Sequence, residues 1–318
     1  MLPAGPCIAL VVDLDLLQPS RLTGLRALIA GTPGLPRIFL MRSMGQRSLS
    51  AARGLGGRLC LPTDTPVETV VEALRAQLQP TAPARTEADP GGPLIARAAD
   101  AASAVIANLL DTARTSGRVD AARLDAGLDP VLWAIGANGL ASWLRTVCAY
   151  DDARYQHCLL VAGLAAAFAI DLGFSTADRQ QLVRAALVHD VGKARIPLAI
   201  LNKPGPLDAQ ERAVMCEHPA LGHAILVQAG GFDDAMLTVV RPHHEMLDGS
   251  NYPDGLRGAA IPDIVRLITV CDVCAALVER RPYRLPRPAA KAMEILRGME
   301  GKLDAILVRA FARSVSGS

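Results

Sequence analysis

The stretch LVRAALVHDVGK (residues 182–193) decides the fold of the larger part of this chain. Its apolar residues recur with helical spacing up to Val188, which predicts a buried helix that ends at His189-Asp190. An imidazole beside a carboxylate at the end of a buried helix is costly unless something satisfies both groups, so the pair indicates a metal site. The alternative is a helix-terminal histidine followed by a capping aspartate. Helical patterns dominate from Leu94 onward, and we expect an all-helical domain there.

The histidines of the chain are clustered. All six lie between His157 and His244. His218 is expected close to a helix start, His243 and His244 form an adjacent pair, and Asp272 interrupts an otherwise apolar helix. Imidazoles and carboxylates that come from several separate helices are typical of di-metal sites in helical bundles.

Lys193 follows His189 by four residues and Asp190 by three. On a helix this spacing places the ammonium group beside both side chains, where a cation could meet a phosphate next to a metal. The alternative is a surface lysine near a helix C-terminus, which is ordinarily the commoner case.

Several segments between residues 147 and 314 resemble, in order and spacing, the motifs of the HD-GYP family, a branch of the HD superfamily of metal-dependent phosphohydrolases. They are His189-Asp190-Val191-Gly192-Lys193, Glu217-His218-Pro219, His243-His244-Glu245, the segment 248–256, Ile261-Pro262, Val270-Cys271-Asp272 and Arg281-Pro282-Tyr283-Arg284. The resemblance implies an α-helical bundle, bound metal ions (usually iron or manganese), and hydrolysis of the bacterial messenger cyclic di-GMP.

The resemblance also implies two groups of metal ligands that share Asp190. One group would be His157, His189, Asp190 and Asp272, and the other Asp190, His218, His243 and His244. Histidine and carboxylate ligands without thiolates suit iron, manganese or zinc.

Further roles follow from the same resemblance. Lys193, Arg281 and Arg284 match positions that contact the substrate phosphates, and Tyr252 and Pro253 lie on the loop that shapes the mouth of the site. Lys193 would act in catalysis together with Asp190, by offsetting the charge that develops on the phosphate.

Three positions depart from the family pattern. Asn251 replaces the glycine that gives the GYP triplet its name, and Asn tolerates positive φ next best after Gly. Ala153 replaces the glutamate that holds a third metal, so we expect two ions rather than three. Ala275 replaces an aspartate, which removes a polar group three residues after Asp272.

Residues 1–79 alternate short apolar runs with segments of helical spacing, which predicts a small α/β domain with a parallel sheet. The expected strands are Ile8–Val12, Arg37–Met41 and Leu59–Leu61, and the expected helices are Arg21–Ile29, Gln46–Leu55 and Pro66–Leu78. The domain resembles a truncated response-regulator receiver, with Asp13 and Asp15 after the first strand. No strand ends in a phosphoacceptor aspartate, so we expect a packing or dimerisation module rather than a phosphorylation switch.

Residues 80–92 are rich in proline and glycine and are expected to form a linker to a helical domain over 93–318. The fold class is therefore mainly α. With 33 lysines and arginines against 31 acidic residues, the chain shows no basic stripe of the kind that nucleic-acid binders use.

Seven scattered cysteines favour reduced thiols in a cytoplasmic protein. The N-terminus lacks the features of a signal peptide. The longest apolar stretch, Cys158–Ile170, is 13 residues and too short to cross a bilayer, so we expect no membrane association.

These observations predict a phosphodiesterase that converts cyclic di-GMP to pGpG, and on to GMP after a second turnover, by means of a hydroxide that bridges two metal ions. Two alternatives stay open. The chain could be a weakly catalytic sensor or scaffold that binds the nucleotide, or that binds a diguanylate cyclase (GGDEF) domain through the loop around Asn251. It could also act on another cyclic dinucleotide or nucleotide. Homodimerisation is left open.

Overall fold

The structure is a computed structural model of the 318-residue chain. It describes residues 10–13, 37–42, 59–78, 92–117, 119–149, 153–203, 205–279 and 286–316, and a few single residues between 25 and 55. The described N-terminal strands and the helix after them belong to one compact unit, and the helices from Gly92 onward belong to a second. The exact domain and linker boundaries stay a prediction.

The N-terminal unit contains a three-stranded parallel sheet, as predicted. Its elements are β1 (Leu10–Asp13), β2 (Arg37–Met41), β3 (Leu59–Pro62) and the helix α1 (Val67–Leu78). Alternate strand residues pack on opposite sides of the sheet, Phe39 and Cys60 in one apolar cluster and Ile38 and Leu61 in another. Most of the two earlier predicted helices lies outside the described residues.

The order of the strands in the sheet is β1-β2-β3. In a receiver domain the first strand lies between the second and the third. The sheet therefore gives the receiver resemblance no support, and that part of the expectation stays a prediction.

The second unit is helical, and no strand follows β3 in the part of the chain that the structure describes. Its helices are α2 (Gly92–Thr115), α3 (Ala121–Cys148), α4 (Ala153–Asp171), α5 (Thr176–Val188), α6 (Leu198–Leu201), α7 (Ala209–Met215), α8 (His218–Ala229), α9 (Asp234–Val240), α10 (Asp263–Val278), α11 (Ala289–Arg297) and α12 (Ala305–Ser316). A 3₁₀ turn, Val191–Arg195, follows α5. The prediction of a mainly α chain is confirmed.

Helix α4 lies at the centre of the bundle and packs against α2, α3, α5, α10 and α12. Its residues from Cys158 to Ala169 are buried on nearly every side, which explains why its sequence lacks an amphipathic pattern. The pairing of α4 with α10 is what brings His157 close to Asp272. The site therefore sits where the core helices meet.

Helix α2 is the one described helix that is long and apolar enough, by length and composition, to cross a membrane. Seven of its residues, from Ile95 to Ala113, are buried in the packed helical core. Burial of one face against other helices is what a core helix of a globular domain shows as well. The expectation of no membrane association stays a prediction.

The six cysteines that the structure describes are all free thiols. Cys271 and Cys274, the two cysteines of the C-x-x-C pair, are both buried in the helical core. Burial raises the pKa of both thiols. Packing rather than metal binding is therefore the role that fits this pair.

Candidate metal centre

Seven histidine and aspartate side chains come together at the core of the helical unit, and they are the seven that the resemblance selects as ligands. His157 comes from α4, His189 and Asp190 follow the end of α5, His218 begins α8, His243 and His244 follow α9, and Asp272 lies in α10. They form two groups, one of Asp190, His218, His243 and His244 and one of His157, His189 and Asp272. Within each group the potential ligand atoms lie within 4.8 Å of one another.

Asp190 lies between the two groups and turns one oxygen toward each. Its Oδ1 is 3.1 Å from Nε2 of His218 and 3.8 Å from Nε2 of His243. Its Oδ2 is 3.5 Å from Nε2 of His189 and 3.8 Å from Nε2 of His157. A carboxylate in this position can give one oxygen to each of two cations, as the sequence analysis expects of a bridging ligand.

Three of the histidines are oriented by the helix ends at which they lie. Each has its Nδ1 at 2.7 Å from the carbonyl oxygen three residues earlier, His189 from Ala186, His218 from Met215 and His243 from Val240. The last carbonyls of a helix have no partner within the helix, so they are free to accept this hydrogen bond. Because a carbonyl oxygen can only accept, Nδ1 carries the proton and Nε2 faces the cluster with a free lone pair.

The cluster has the chemistry of an incomplete coordination shell. Nε2 of His189 and Oδ1 of Asp190 are buried without a hydrogen-bond donor among the described residues. Nε2 of His218 lies 3.3 Å from Nε2 of His243, which brings two lone pairs face to face. Buried acceptors without donors are costly, and a cation would satisfy them all. Nitrogen and carboxylate ligands without thiolates suit divalent transition metals.

The two aspartates are ionised and thus ready to bind a cation. Burial would raise the pKa of Asp190, but the charge of Lys193 outweighs it and holds that pKa well below its usual value. Burial likewise opposes ionisation of Asp272, whose pKa is held well below normal by hydrogen bonds from His157 and His244. The carboxylates therefore carry their charge across the whole neutral range.

Four of the ligand histidines divide into two classes. Burial lowers the pKa of His189, of His218 and, most strongly, of His243, so these imidazoles are neutral near pH 7. Burial also acts to lower the pKa of His157, but the charge of Glu279 and hydrogen bonds to Asp272 and Glu279 outweigh it and raise that pKa to about 10. His157 therefore carries a proton on each nitrogen before metal binds.

This difference leads to a testable expectation for metal loading. A metal that takes Nε2 of His157 must displace a proton, whereas His189, His218 and His243 have none to lose there. Loading at about pH 8, below the raised pKa of His157, should release about one proton from that residue, and the release should disappear as the pH rises above about 10. Calorimetric titration with Mn²⁺ in buffers of different ionisation enthalpy measures this quantity. The His157→Asn variant should release about one proton fewer than the wild type, and equal release in both would contradict the assignment.

Gly192 allows the 3₁₀ turn that follows Asp190 to approach α8. A Cβ at this position would lie 1.9 Å from the carbonyl oxygen of His218 and 2.5 Å from the backbone nitrogen of Gly222. Both atoms belong to the backbone, so neither can move aside cheaply. The absence of a side chain at Gly192 is what lets Asp190 meet His218.

We expect Gly192→Ala to destabilise the protein by about 1–3 kcal/mol and to disrupt metal binding, because the turn must move away from α8. Gly136→Ala is the matched control, since Gly136 lies in α3 with nothing within 4 Å of its added Cβ. That substitution should be neutral or stabilising by up to about 1 kcal/mol. Urea unfolding together with metal analysis measures both effects. A Gly192→Ala protein with the stability and metal content of the wild type would contradict this packing argument.

Lys193 forms an ion pair with Asp190, with Nζ 2.5 Å from Oδ2. Burial would lower its pKa, but Asp190 outweighs this and raises it, so the amine stays charged. About a third of the side chain is exposed, against 6% for Asp190. The side chain of Lys193 thus lies on the side of the cluster that is open to solvent, and its phosphate-binding role stays a prediction.

The loop that contains Tyr252 is held in place by Glu245, a role that sequence analysis missed. The buried carboxylate of Glu245 accepts hydrogen bonds from the backbone N–H groups of Asp254 and Leu256, at 2.6 and 3.1 Å. Arg241 fixes the same loop through two hydrogen bonds to Asp254. Glu245 follows the His-His pair directly, so its position in the motif was the available signal.

Tyr252 borders the cluster. Its ring centroid is 4.8 Å from that of His244 and 6.3 Å from that of His218. Burial raises the pKa of its hydroxyl, so the group is a neutral hydrogen-bond donor at physiological pH. Pro253 follows it and is half-buried. The structure thus places Tyr252 beside the candidate ligands, with Pro253 directly after it in the loop.

Other predicted positions are not described. Arg281 and Arg284 lie outside the described residues, so their contact with substrate phosphates stays a prediction. At Ala153 only the start of α4 is described. His223 is the one histidine of the chain that does not join either metal-ligand group.

Comparison with known proteins identifies the helical unit. Residues 141–307 match the family described as HD domain. A cyclic di-GMP phosphodiesterase of Pseudomonas aeruginosa is 31% identical over 216 residues, which cover 67% of this chain and 52% of that protein. A 3′3′-cGAMP-specific phosphodiesterase of Vibrio cholerae is 41% identical over 172 residues, which cover 54% of this chain and 35% of that protein.

Among solved structures, an HDG"Y"P protein from Bdellovibrio bacteriovorus has a similar fold, with a TM-score of 0.55 and 19% sequence identity over 77% of this chain and 78% of that one. This chain spans about half or less of the length of these two curated relatives. The matched region contains all seven side chains of the cluster and the loop that carries Tyr252. With its motifs in family order and its fold shared, the chain belongs to the HD-domain family, in the HD-GYP branch.

Proposed function

We propose that this chain is a metal-dependent phosphodiesterase that hydrolyses cyclic di-GMP to pGpG. The observation that carries the proposal is the pair of ligand groups on either side of Asp190, with one carboxylate oxygen directed to each. The names of relatives with 31–40% identity support the substrate class. The ions that suit the site are iron or manganese, with zinc as a further candidate.

The residues divide the work as follows. One ion would be held by His157, His189, Asp190 and Asp272. The other ion would be held by Asp190, His218, His243 and His244. Two such ions, when bound, activate water at neutral pH and neutralise the charge of the attacked phosphate. Lys193 has a fixed positive charge beside Asp190, so it would contact a non-bridging phosphate oxygen and stabilise the charge that develops there.

The exposed fractions of the side chains indicate from which side a substrate can reach the site. His189, His218 and His243 are essentially inaccessible, whereas the side chain of His244 is 21% exposed and that of Lys193 is 34% exposed. A substrate phosphate would therefore reach the cluster from the side of His244 and Lys193. Tyr252 borders this side, next to His244.

A second candidate substrate is 3′3′-cGAMP, since three relatives with 37–41% identity are named as specific for it. Both molecules are cyclic dinucleotides with two phosphodiester bonds and at least one guanine. The ligand cluster acts on the phosphate, which the two share, so residues that contact the bases must decide between them.

Turnover assays test the proposal. Protein purified without oxygen and loaded with Mn²⁺ or Fe²⁺ should convert cyclic di-GMP to pGpG. Chromatography of the products measures this conversion. Faster turnover of 3′3′-cGAMP at equal concentration would assign the second substrate. Binding of cyclic di-GMP without turnover of either nucleotide would contradict the enzyme proposal and favour a sensor.

The remaining expectations on partners and location rest on sequence alone. A diguanylate cyclase partner, homodimerisation and a cytoplasmic location stay predictions. Size-exclusion chromatography with light scattering, with and without a GGDEF domain, tests the first two.

A further inference from the structure

His157 differs from the other ligand histidines in what orients it. His189, His218 and His243 lie at helix ends, where each Nδ1 reaches a carbonyl three residues earlier. His157 lies within α4, where the carbonyls are already hydrogen-bonded in the helix. The ring of His157 must therefore be oriented by a side chain, and Glu279 is in position to do so. The Nδ1 of His157 is 2.9 Å from Oε2 of Glu279.

A glutamate is energetically unfavourable at position 279. It is buried, with 5% of its surface exposed, and it follows directly after the last residue of α10. Burial of a carboxylate opposes its charge, and a helix C-terminus is the negative end of the helix dipole. Both effects disfavour an acidic residue at this position. The hydrogen-bonded contact with His157 offsets part of this cost.

Glu279 also lies close in sequence to Ala275, one of the positions at which this chain departs from the family pattern. Ala275 stands where the family pattern has an aspartate, three residues after Asp272. Glu279 lies one helical turn beyond Ala275, and its backbone N–H donates to the carbonyl oxygen of Ala275 at 2.8 Å. Residues four apart share a helix face, and the longer glutamate side chain can reach back along it. The chain thus carries a carboxylate on the same face, one turn later.

We propose that Glu279 is the positioning residue of His157, so that it holds the ring with Nε2 toward the cluster and strengthens metal binding at the group of His157, His189 and Asp272. A carboxylate that accepts the second N–H of a ligating histidine fixes the ring and raises its basicity as a ligand. Asp272 approaches Nε2 of the same ring at 2.9 Å, so the imidazole is held from both sides. This inference rests on the proposed di-metal function.

Cobalt titration of the metal-free full-length protein tests this role, because the visible absorption of bound Co²⁺ reports its ligand geometry. Glu279→Ala should weaken the binding of one of the two ions by about 10–100-fold and change its absorption spectrum. The second ion, at the group of Asp190, His218, His243 and His244, should bind as in the wild type. Glu279→Gln keeps an oxygen that accepts from Nδ1 and should restore the affinity to within about 10-fold of the wild type.

Two further variants serve as controls. Glu294→Ala removes an exposed carboxylate of α11 that pairs with Lys291 at the surface, and it should bind both ions normally. Glu279→Met fills the same space without an acceptor, and it replaces the alanine variant if that protein does not fold by circular dichroism.

The outcomes separate this inference from the proposed function. A wild-type protein that binds two ions, together with Ala and Met variants that bind both with unchanged affinity and spectra, would overturn the role of Glu279 alone. A wild-type protein that binds fewer than two ions would instead overturn the di-metal function. Equal weakening of both ions in the Ala variant would also contradict a role specific to His157.

Discussion

Replacement of Asp190 by alanine should abolish the binding of both metal ions and lower the rate of phosphodiester hydrolysis by at least about 10³-fold, since two clamping cations contribute several kcal/mol to the transition state. The reason is geometric. The oxygens of Asp190 face both groups through four histidine nitrogens, at distances of 3.1–3.8 Å. Asp272 also approaches both groups, but through one histidine nitrogen of each. Metal analysis and turnover of cyclic di-GMP measure the two effects.

Asp125→Asn is a suitable control for Asp190→Ala. Asp125 is an exposed aspartate of the same helical unit whose carboxylate pairs with Arg184. Its loss should change neither metal content nor turnover, because exposed ion pairs contribute little. A folded Asp190→Ala protein that retains one tightly bound ion would show that the carboxylate belongs to one group only, and retention of both would refute the bridging assignment.

Replacement of Lys193 by alanine should leave both ions bound while kcat falls by about 10²–10³-fold. An ammonium group has no lone pair, so Lys193 cannot be a ligand, and its loss removes only a positive charge next to Asp190. That charge gains in importance as negative charge develops on the phosphate, so the effect should appear in kcat more than in KM.

Steady-state kinetics on metal-replete protein checks this expectation. Lys291→Ala, at an exposed lysine of α11, is the control and should retain wild-type kinetics. Lys193→Arg keeps the charge but changes the geometry of the donor, and should recover part of the rate. Loss of metal from Lys193→Ala, or an unchanged kcat, would show that the role assigned to Lys193 is wrong.

Much of the site could be predicted from sequence because its residues break local patterns. His189 and Asp190 close an apolar helix, and Asp272 interrupts another, so each is visible as a polar residue where periodicity expects burial. The family motifs then link residues that are distant along the chain. The structure brings these predicted residues together in two groups, with Asp190 counted in one and close to the histidines of both.

The supporting residues were harder to find because their signals are not local. Glu279 follows an apolar helix as any surface acid might, and its partner His157 lies 122 residues earlier. Gly192 is visible in the motif, but only the approach of α8 shows why no side chain fits there. The order of strands β1, β2 and β3 likewise depends on crossover connections, which a pattern of apolar runs does not specify.

The metal content of the wild-type protein tests the di-metal assignment most directly. Full-length protein that is purified without oxygen, or stripped of metal and reloaded with Mn²⁺, should contain close to two transition-metal ions per chain. Inductively coupled plasma mass spectrometry measures this content. The protein should also turn over cyclic di-GMP only in that state. A content of one ion or none after loading would contradict the assignment of two ligand groups, and a third tightly bound ion would contradict the expectation drawn from Ala153.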